Sequence, residues 1–450
     1  MIRSPFFRVL ASSLALWAGS AQSETSAKPP TTLTLEEALR RLDAQSLTLA
    51  QARSRAEESK ALVRQASSAL LPTLGAAGAY TRNNAAARIS FAEIFTGLAL
   101  ALGTTVPTAG LPTDVVIQPL EAFNGSVTVR APIFSANTYS DVASARHSAR
   151  ASEQSAQGVR LQVRSALIQA AYSQVAVDQT IEAAERALAT AAEHAASAER
   201  SVRAGTAAPL TKLQADTEVV RRESELVQAR SNADQAYLAM GALLGRSEAI
   251  RVVPPVPQLP VIELGAMVAQ ALDRRPEVGA AQSAVLASER QVDSAWWRLA
   301  PRLSASFSYF ASTMPFPTGD KTGWNATADL SWPLYDGGFR YGKRRQAEAA
   351  LAGARAALEQ QRVDVAREVK DAARGVEVAQ ERLRLAEKQN ELAQETAQSA
   401  QRSFDAGLAG SLDVIDANDR AFQAEVGLAG ARAQLGVALA SLDRAMGEGT

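Results

Sequence analysis

Residues Ala300 to Gly338 read APRLSASFSYFASTMPFPTGDKTGWNATADLSWPLYDGG. In the first part Leu303, Ala305, Phe307, Tyr309 and Ala311 alternate with Ser304, Ser306 and Ser308. In the last part Ala328, Leu330, Trp332 and Leu334 alternate with Thr327, Asp329 and Ser331. A period of two predicts β-strands, here over about residues 302–311 and 326–335. Segments of about ten residues, apolar on one side and small and polar on the other, are the pattern of strands that cross a membrane. Period alone fits a small soluble sheet equally well. Trp296, Trp297, Trp324 and Tyr335 stand near the strand ends, where aromatic side chains anchor a membrane interface.

The same signals occur earlier in the chain, in the same order. Leu71-Pro72-Thr73-Leu74 corresponds to Ala300-Pro301-Arg302-Leu303, and Ala131-Pro132-Ile133-Phe134 to Trp332-Pro333-Leu334-Tyr335. Ser201-Val202-Arg203-Ala204-Gly205 corresponds to Ser403-Phe404-Asp405-Ala406-Gly407. Repetition of this kind marks a tandem duplication. In the first half Leu74, Ala76, Gly78 and Tyr80, then Val127, Val129, Ala131 and Ile133, keep the apolar phase of strands over about residues 72–82 and 126–134. The first repeat is therefore read over residues 22–250, with a tip near 203–211. A stiff linker over 251–261 carries Pro254, Pro255, Pro257 and Pro260. The second repeat takes residues 262–450, with a tip near 405–413. The first half has the longer connection between its strands. This loop, residues 83–124, contains the apolar stretch Ile94 to Leu102 and is expected to pack on itself.

The export signal decides between a soluble and a membrane sheet. Arg3 and Arg8 precede the short apolar run Val9 to Ala18, and Gly19-Ser20-Ala21 supplies small residues before a cleavage point at Gln22. Residues 1–21 are the pattern of a secretory signal peptide, too short in its apolar run to span a bilayer. The 450 residues contain no Cys, which excludes disulfides, thiolate metal sites and Cys nucleophiles. Basic and acidic residues are equal at 47 each, against the basic excess of a nucleic-acid binder. Four strands in lipid follow from the signal and the alternation together.

After each second strand the period changes to that of a helix. Ile181, Leu188, Ala195 and Val202 recur every seven residues, with Ala184, Ala191 and Ala198 on the adjoining position. Ala379, Ala386, Ala393 and Ala400 repeat the spacing in the second half. Heptads over several turns predict coiled-coil packing, and Ala at the seam lets helix axes come close. Pro132 to Gly205 and Pro333 to Gly407 match in length to within one residue. About 65 helical residues at 1.5 Å each reach roughly 100 Å. Gly205 and Gly407 stand where a helix needs a left-handed residue. Return helices should begin at Pro209, as a first-turn residue, and at Ser411, as an N-cap. Four strands cannot close a barrel, and an open edge in lipid leaves backbone groups unsatisfied. Several copies must pool their strands, with the helices forming a tube below. Such a tube through an outer membrane is a conduit.

With these features the sequence resembles the TolC family of outer-membrane efflux proteins, from Leu33 to Met446. The resemblance rests on the duplication, on Pro333-Leu334-Tyr335-Asp336-Gly337-Gly338, and on the tip from Gly407 to Ala417 with its Leu412-Asp413-Val414-Ile415-Asp416-Ala417. It implies a mainly α protein with a membrane β-barrel. Specifically, it implies a homotrimer whose twelve-stranded outer-membrane barrel continues into a twelve-helix periplasmic coiled-coil tunnel. It also implies a periplasmic adaptor docked at the tip and an inner-membrane transporter reached through that adaptor. The function implied is the exit duct of a tripartite efflux pump for drugs or metal ions, with type I protein secretion as the alternative. Asp413 and Asp416 match aspartates that ring the tunnel entrance in the family's best-known member. Three copies would gather six carboxylates there, and such crowding favours bound cations. Their first-half counterparts, Thr211 and Gln214, are neutral. A gate tyrosine and arginine of that member are replaced here by Phe404 and Ala409, so closure must use packing or Arg203 and Arg402. Arg203, Thr206, Leu210, Leu408 and Leu412 form the expected adaptor-docking surface around Gly205 and Gly407.

Two other classes fit less well. No nucleophile, phosphate loop or cofactor site accompanies His147 and His194, and both are read as surface histidines on Ala- and Ser-rich helices, so no enzyme is expected. A periplasmic adaptor or coiled-coil scaffold should carry a single helical hairpin and no paired strands outside it.

Overall fold

A computed structural model describes residues 30–104, 115–314 and 319–448; the expected signal segment lies outside these. The elements in chain order are β1 (Thr31–Thr34), α1 (Leu35–Gln45), α2 (Leu47–Ser68), β2 (Thr73–Arg82), β3 (Ala87–Ile89), α3 (Phe91–Leu102), β4 (Val115–Gln118), β5 (Glu121–Phe134), α4 (Ala136–Arg203) and α5 (Pro209–Leu243). The second half follows with β6 (Ile250–Val253), α6 (Leu264–Arg274), α7 (Pro276–Trp297), β7 (Arg302–Ser312), β8 (Thr322–Ser331), α8 (Phe339–Asp405) and α9 (Ser411–Met446). Apart from the β3–α3–β4 insertion, the two halves have the same order of strand, two helices, two strands and two long helices.

The four long strands form one antiparallel sheet in the order β2-β5-β7-β8. Its register sorts the side chains onto two faces. Leu74 lies opposite Val129, Val129 opposite Phe307, and Phe307 opposite Ala326. The neighbouring apolar row runs Ala76, Val127, Tyr309 and Trp324. The other face carries hydroxyl pairs, Thr128 with Ser308 at 2.9 Å and Ser306 with Thr327 at 2.6 Å. A one-residue slip would exchange the two faces, so the pattern fixes the register. The outer strands β2 and β8 are left with free edges in the single chain.

The strand bounds differ from the periodicity in two places. β5 begins at Glu121, several residues ahead of the expected 126, because its ladder continues to Arg82. β8 covers Thr322–Ser331, so it is shifted four residues toward the N-terminus at both ends and stops short of Tyr335. Pro333 has no N–H for a ladder, and the indole N–H of Trp332 donates instead to the Leu299 carbonyl at 3.0 Å. The loop between β2 and β5 also departs from expectation. Among the described residues it packs on itself only in part: it forms a β3–β4 ribbon and α3, and Ile94, Leu98, Leu100 and Leu102 are exposed.

Each half then runs through a very long helix, 68 residues in α4 and 67 in α8. At 1.5 Å per residue each is about 100 Å long. α5 and α9, of 35 and 36 residues, return along them. α4 packs against α5 and α9, and α9 packs against α8, so α5 and α8 stand at the two edges of the helical layer. Alanine fills the seams: Ala184, Ala191 and Ala198 in α4, and Ala417, Ala421 and Ala424 in α9, are all buried. No helix among the described residues is long and apolar enough to cross a membrane.

Midway along the helices the shorter elements build the larger cores. β1 and β6 pair in parallel, with Leu33 opposite Val252. Residues 250–253, where the linker was expected to begin, are therefore a strand. The Gln174 amide N–H groups donate to the carbonyls of Ala236 and Ile250, and its oxygen accepts from Val252 N–H. Leu33, Leu39, Leu42, Leu167, Met240 and Ile250 form one apolar cluster there; Val278, Val365, Val369, Val376, Leu439 and Leu442 form its counterpart.

Candidate functional site

The two hairpin tips lie at the end of the helical layer far from the sheet. Both close in the same way. Gly205 has φ of 72° and Gly407 of 75°, the left-handed conformation that terminates a helix without steric cost only in glycine. At the second tip the N–H of Gly407 donates to the Phe404 carbonyl at 2.9 Å and that of Leu408 to the Ser403 carbonyl at 2.8 Å. The first tip repeats these bonds, Gly205 to Val202 and Thr206 to Ser201, each at 3.0 Å. The Thr206 hydroxyl adds a bond to the Ser201 carbonyl at 2.9 Å. Pro209 occupies the first turn of α5 as expected. The N-cap of α9 is Gly410, one residue before Ser411. Its N–H donates to the Asp413 carboxylate at 2.8 Å, which places the negative charge at the positive end of the helix dipole.

The expected docking side chains are outward. Leu210, Leu408 and Leu412 are exposed, and Arg203 lies beside Glu199 in an exposed ion pair. Asp416 pairs with Arg420 at 2.7 Å. Within one chain, then, Asp413 is engaged in capping and Asp416 in an ion pair. Arg402 donates to the Gln398 carbonyl of its own helix at 3.3 Å.

Phe404 does face a partner. Its ring meets the His194 imidazole edge to face, with centroids 4.8 Å apart. His194 is only 2% exposed, which corrects its reading as a surface residue; His147 is half-buried. The Nε2 of His194 lies 2.9 Å from the Ser411 hydroxyl, at the start of α9. The buried Nδ1 has no hydrogen-bond partner. Burial holds the imidazole below its ordinary value, against the opposing effects of Gln401, Asp405 and Glu218. Ser197 of α4 donates to Asp405 of α8 at 3.1 Å. One helix of the first hairpin is thus tied to both helices of the second at the tip.

His194 lines a cleft of about 980 Å³ between α4, α5, α8 and α9, together with Arg200, Glu218, Arg222, Gln398 and Asp405. Its wall is a charge network absent from the sequence reading. The fully buried Arg222 donates to Glu218 at 2.7 Å, Glu225 at 2.8 Å and Asp419 at 2.9 Å. Arg221, half-exposed, bonds the same three carboxylates. Asp419 belongs to α9, so this network joins the two hairpins as well. Its sequence signal is weak, because i, i+3 and i, i+4 charge pairs are common on exposed helix faces. His194 had a better one: it falls three residues after Ala191 and four before Ala198, on the same seam.

The edge helices carry unpartnered heptad stripes. On α5, Leu213, Val220 and Val227 are spaced by seven and exposed. On α8, Val378, Leu385 and Leu392 are likewise spaced by seven and exposed. Such stripes on a solvated helix mark a seam that a further helix would complete.

The sequence profile of the outer membrane efflux protein family matches residues 38–246 and 267–448. Solved structures of similar fold include the outer membrane protein VceC of Vibrio cholerae, 19% identical, with 92% of this chain and 96% of that one aligned and a TM-score of 0.75. The outer membrane channel CmeC of Campylobacter jejuni is 15% identical over 99% of this chain and 94% of that one, at a TM-score of 0.76. The open state of the Neisseria gonorrhoeae channel MtrE is 18% identical over 92% and 89%, at 0.72. No curated protein matches the sequence.

Proposed function

The chain belongs to the outer membrane efflux protein family, and on that premise we propose that it is the exit duct of a tripartite pump that carries small molecules, such as drugs or metal ions, out of the periplasm. The observation that carries this reading is the pair of incomplete edges. The sheet ends in the free edges of β2 and β8, and the helical layer ends in the exposed stripes of α5 and α8. Three copies placed edge to edge satisfy both at once, giving a twelve-stranded barrel in the outer membrane above a twelve-helix tube. Lipid rewards this closure because it removes unpaired backbone groups from hydrocarbon. The tube is a passive, gated path, and its energy comes from an inner-membrane transporter reached through a periplasmic adaptor. The exposed Leu210, Leu408 and Leu412 are the apolar part of the docking surface, with Arg203 and Thr206 beside them.

The test uses the absence of native cysteine. A single Ala409→Cys carrying a photo-crosslinker is expected to capture the adaptor of a proton-driven or metal pump in living cells that express the pump system. Capture of an adaptor from an ATP-driven exporter would replace efflux by protein secretion. Capture of no envelope protein would overturn the docking tip.

A further inference from the structure

The β3–α3–β4 insertion is a built element. The Ser90 hydroxyl accepts from the Glu93 N–H at the start of α3, and Gly103 ends it in the left-handed conformation at φ of 67°. Phe91, Ile94, Phe95, Leu98 and Leu102 occupy positions i, i+3, i+4, i+7 and i+11, so they share one face. Ile94, Leu98 and Leu102 are 53%, 51% and 68% exposed; Leu100 on the opposite side is exposed as well, and Ala99 is buried. The β3–β4 ribbon of the same insertion adds exposed Val116 and Ile117. Exposed apolar surface on this scale marks contact with a protein or a membrane.

Position decides between them. The long helices leave the sheet from the ends of β5 and β8 at Phe134 and Ser331, whereas the insertion leaves from the opposite end, after Arg82. That end is marked by Tyr80 and Phe123, which face each other across the ladder and are both exposed. An aromatic pair there sits at the membrane interface. α3 follows this end of the sheet, nine residues after Arg82 and just beyond β3, and its 12 residues measure about 18 Å, too short to span a bilayer of about 30 Å and suited to lying in its interface. Its composition also differs from the helix seams of this chain. The buried seams use alanine for close approach, as at Ala191 and Ala198, and the edge stripes of α5 and α8 use Leu and Val, whereas the face of α3 also carries the aromatic Phe91 and Phe95. The helix has no Lys or Arg, so its affinity comes from apolar area rather than from charge.

We propose that α3 lies in the outer leaflet of the membrane beside the barrel, with Phe91, Ile94, Leu98 and Leu102 in hydrocarbon, as a membrane contact that each protomer makes outside its strands. The proposal rests on the reading that the four strands are inserted in the outer membrane. The test places one nitroxide-labelled cysteine at a time at residues 93 to 102 in the full-length protein, reconstituted in vesicles of phosphatidylethanolamine, phosphatidylglycerol and lipopolysaccharide. Oxygen should reach positions 94, 98 and 102 in preference to a water-soluble nickel chelate, and the preference should reverse at 93 and 97. A Leu330→Cys label on the apolar face of the sheet is the control. Lipid contact at 330 with nickel access at 98 would overturn the α3 proposal alone. Nickel access at both would overturn the inserted barrel. Strong dipolar broadening at 98 would instead mean that α3 packs against a second copy, and would overturn the lipid contact.

Discussion

His194 sits between Ala191 and Ala198 on its seam, so the imidazole occupies space that its neighbours leave to a methyl group. Burial favours its neutral form, and the groups facing it are Gln401 and Asp405 of α8, Glu218 of α5 and Ser411 of α9. Because the folded value lies below the ordinary imidazole value near 6.5, the unfolded tip takes up a proton more readily than the folded one. The contribution of His194 is therefore full above about pH 6.5 and is lost as the pH falls through the lower folded value. Hydrogen exchange at the C-terminal end of α8 and the start of α9 should speed up across that window. His194→Gln, which keeps a polar partner for Ser411, should remove much of this pH dependence; an unchanged profile would exclude the imidazole as its source. Arg222 gives a second residue-scale prediction. Arg222→Ala removes the buried guanidinium that three carboxylates share, leaves Glu218 with the half-exposed Arg221 as its remaining cation, and should cost about 3 kcal/mol in denaturant unfolding, the low end for a broken buried pair. Arg221→Ala, at the same carboxylates but half-exposed, should cost about 1 kcal/mol or less. Equal losses would mean that burial does not set the strength of the network. Arg222 did not announce its role in the sequence, and His194 did so only through its place on the alanine seam. A charge on a helix face and a lone histidine have common exposed readings, and only packing between hairpins separates those from these.

At the scale of elements, the turn at Gly407 isolates one backbone term. A Cβ there would meet nothing within 4 Å, so Gly407→Ala tests conformation without a clash. The left-handed conformation should cost about 1–2 kcal/mol. Gly407→Asn should cost less, since Asn tolerates this region better. Thermal unfolding followed by circular dichroism checks the order; equal stability of the two variants would mean that the turn relaxes out of the left-handed region. The long helices, their tips and the alternating strands were legible because each follows from a local rule repeated over many residues. Heptads such as Ile181, Leu188, Ala195 and Val202 state their own period, and Leu303 to Ala311 state theirs. The parallel pair of β1 and β6 was not legible. Each has only four residues, and their partners lie in opposite halves of the chain. The insertion was read as self-packed because apolar residues in a loop usually find cover within it. Its stripe became visible only once α3 formed, and Ser331 ended β8 early because Pro333 is a poor strand residue whatever its apolar neighbours suggest.

For the whole molecule, the free edges make the assembly testable by geometry. A bifunctional maleimide should join Val220→Cys of one copy to Leu385→Cys of the next, and the doubly substituted chain should run as a covalent trimer. Cross-linking only within single chains would count against pooled edges. Closure also determines what the tip carboxylates do. In each copy Asp416 is paired with Arg420, whereas Asp413 is bonded to a backbone N–H and has no cationic partner among the described residues. A ring of three copies would therefore draw its negative potential mainly from Asp413, with the Asp416 contribution offset by Arg420. Charge and capping can be separated at Asp413, because Asn still accepts a hydrogen bond from the Gly410 N–H. In planar bilayers Asp413→Asn should weaken block by divalent cations more than Asp416→Asn does, and Arg420→Ala should strengthen it. The strengthening would come from freeing a carboxylate at a constriction where like charges are already crowded. Raised ionic strength should shrink all of these differences, since charges at a water-filled mouth are screened over about 8 Å in physiological salt. Block unchanged by Asp413→Asn would remove the carboxylate ring from the account.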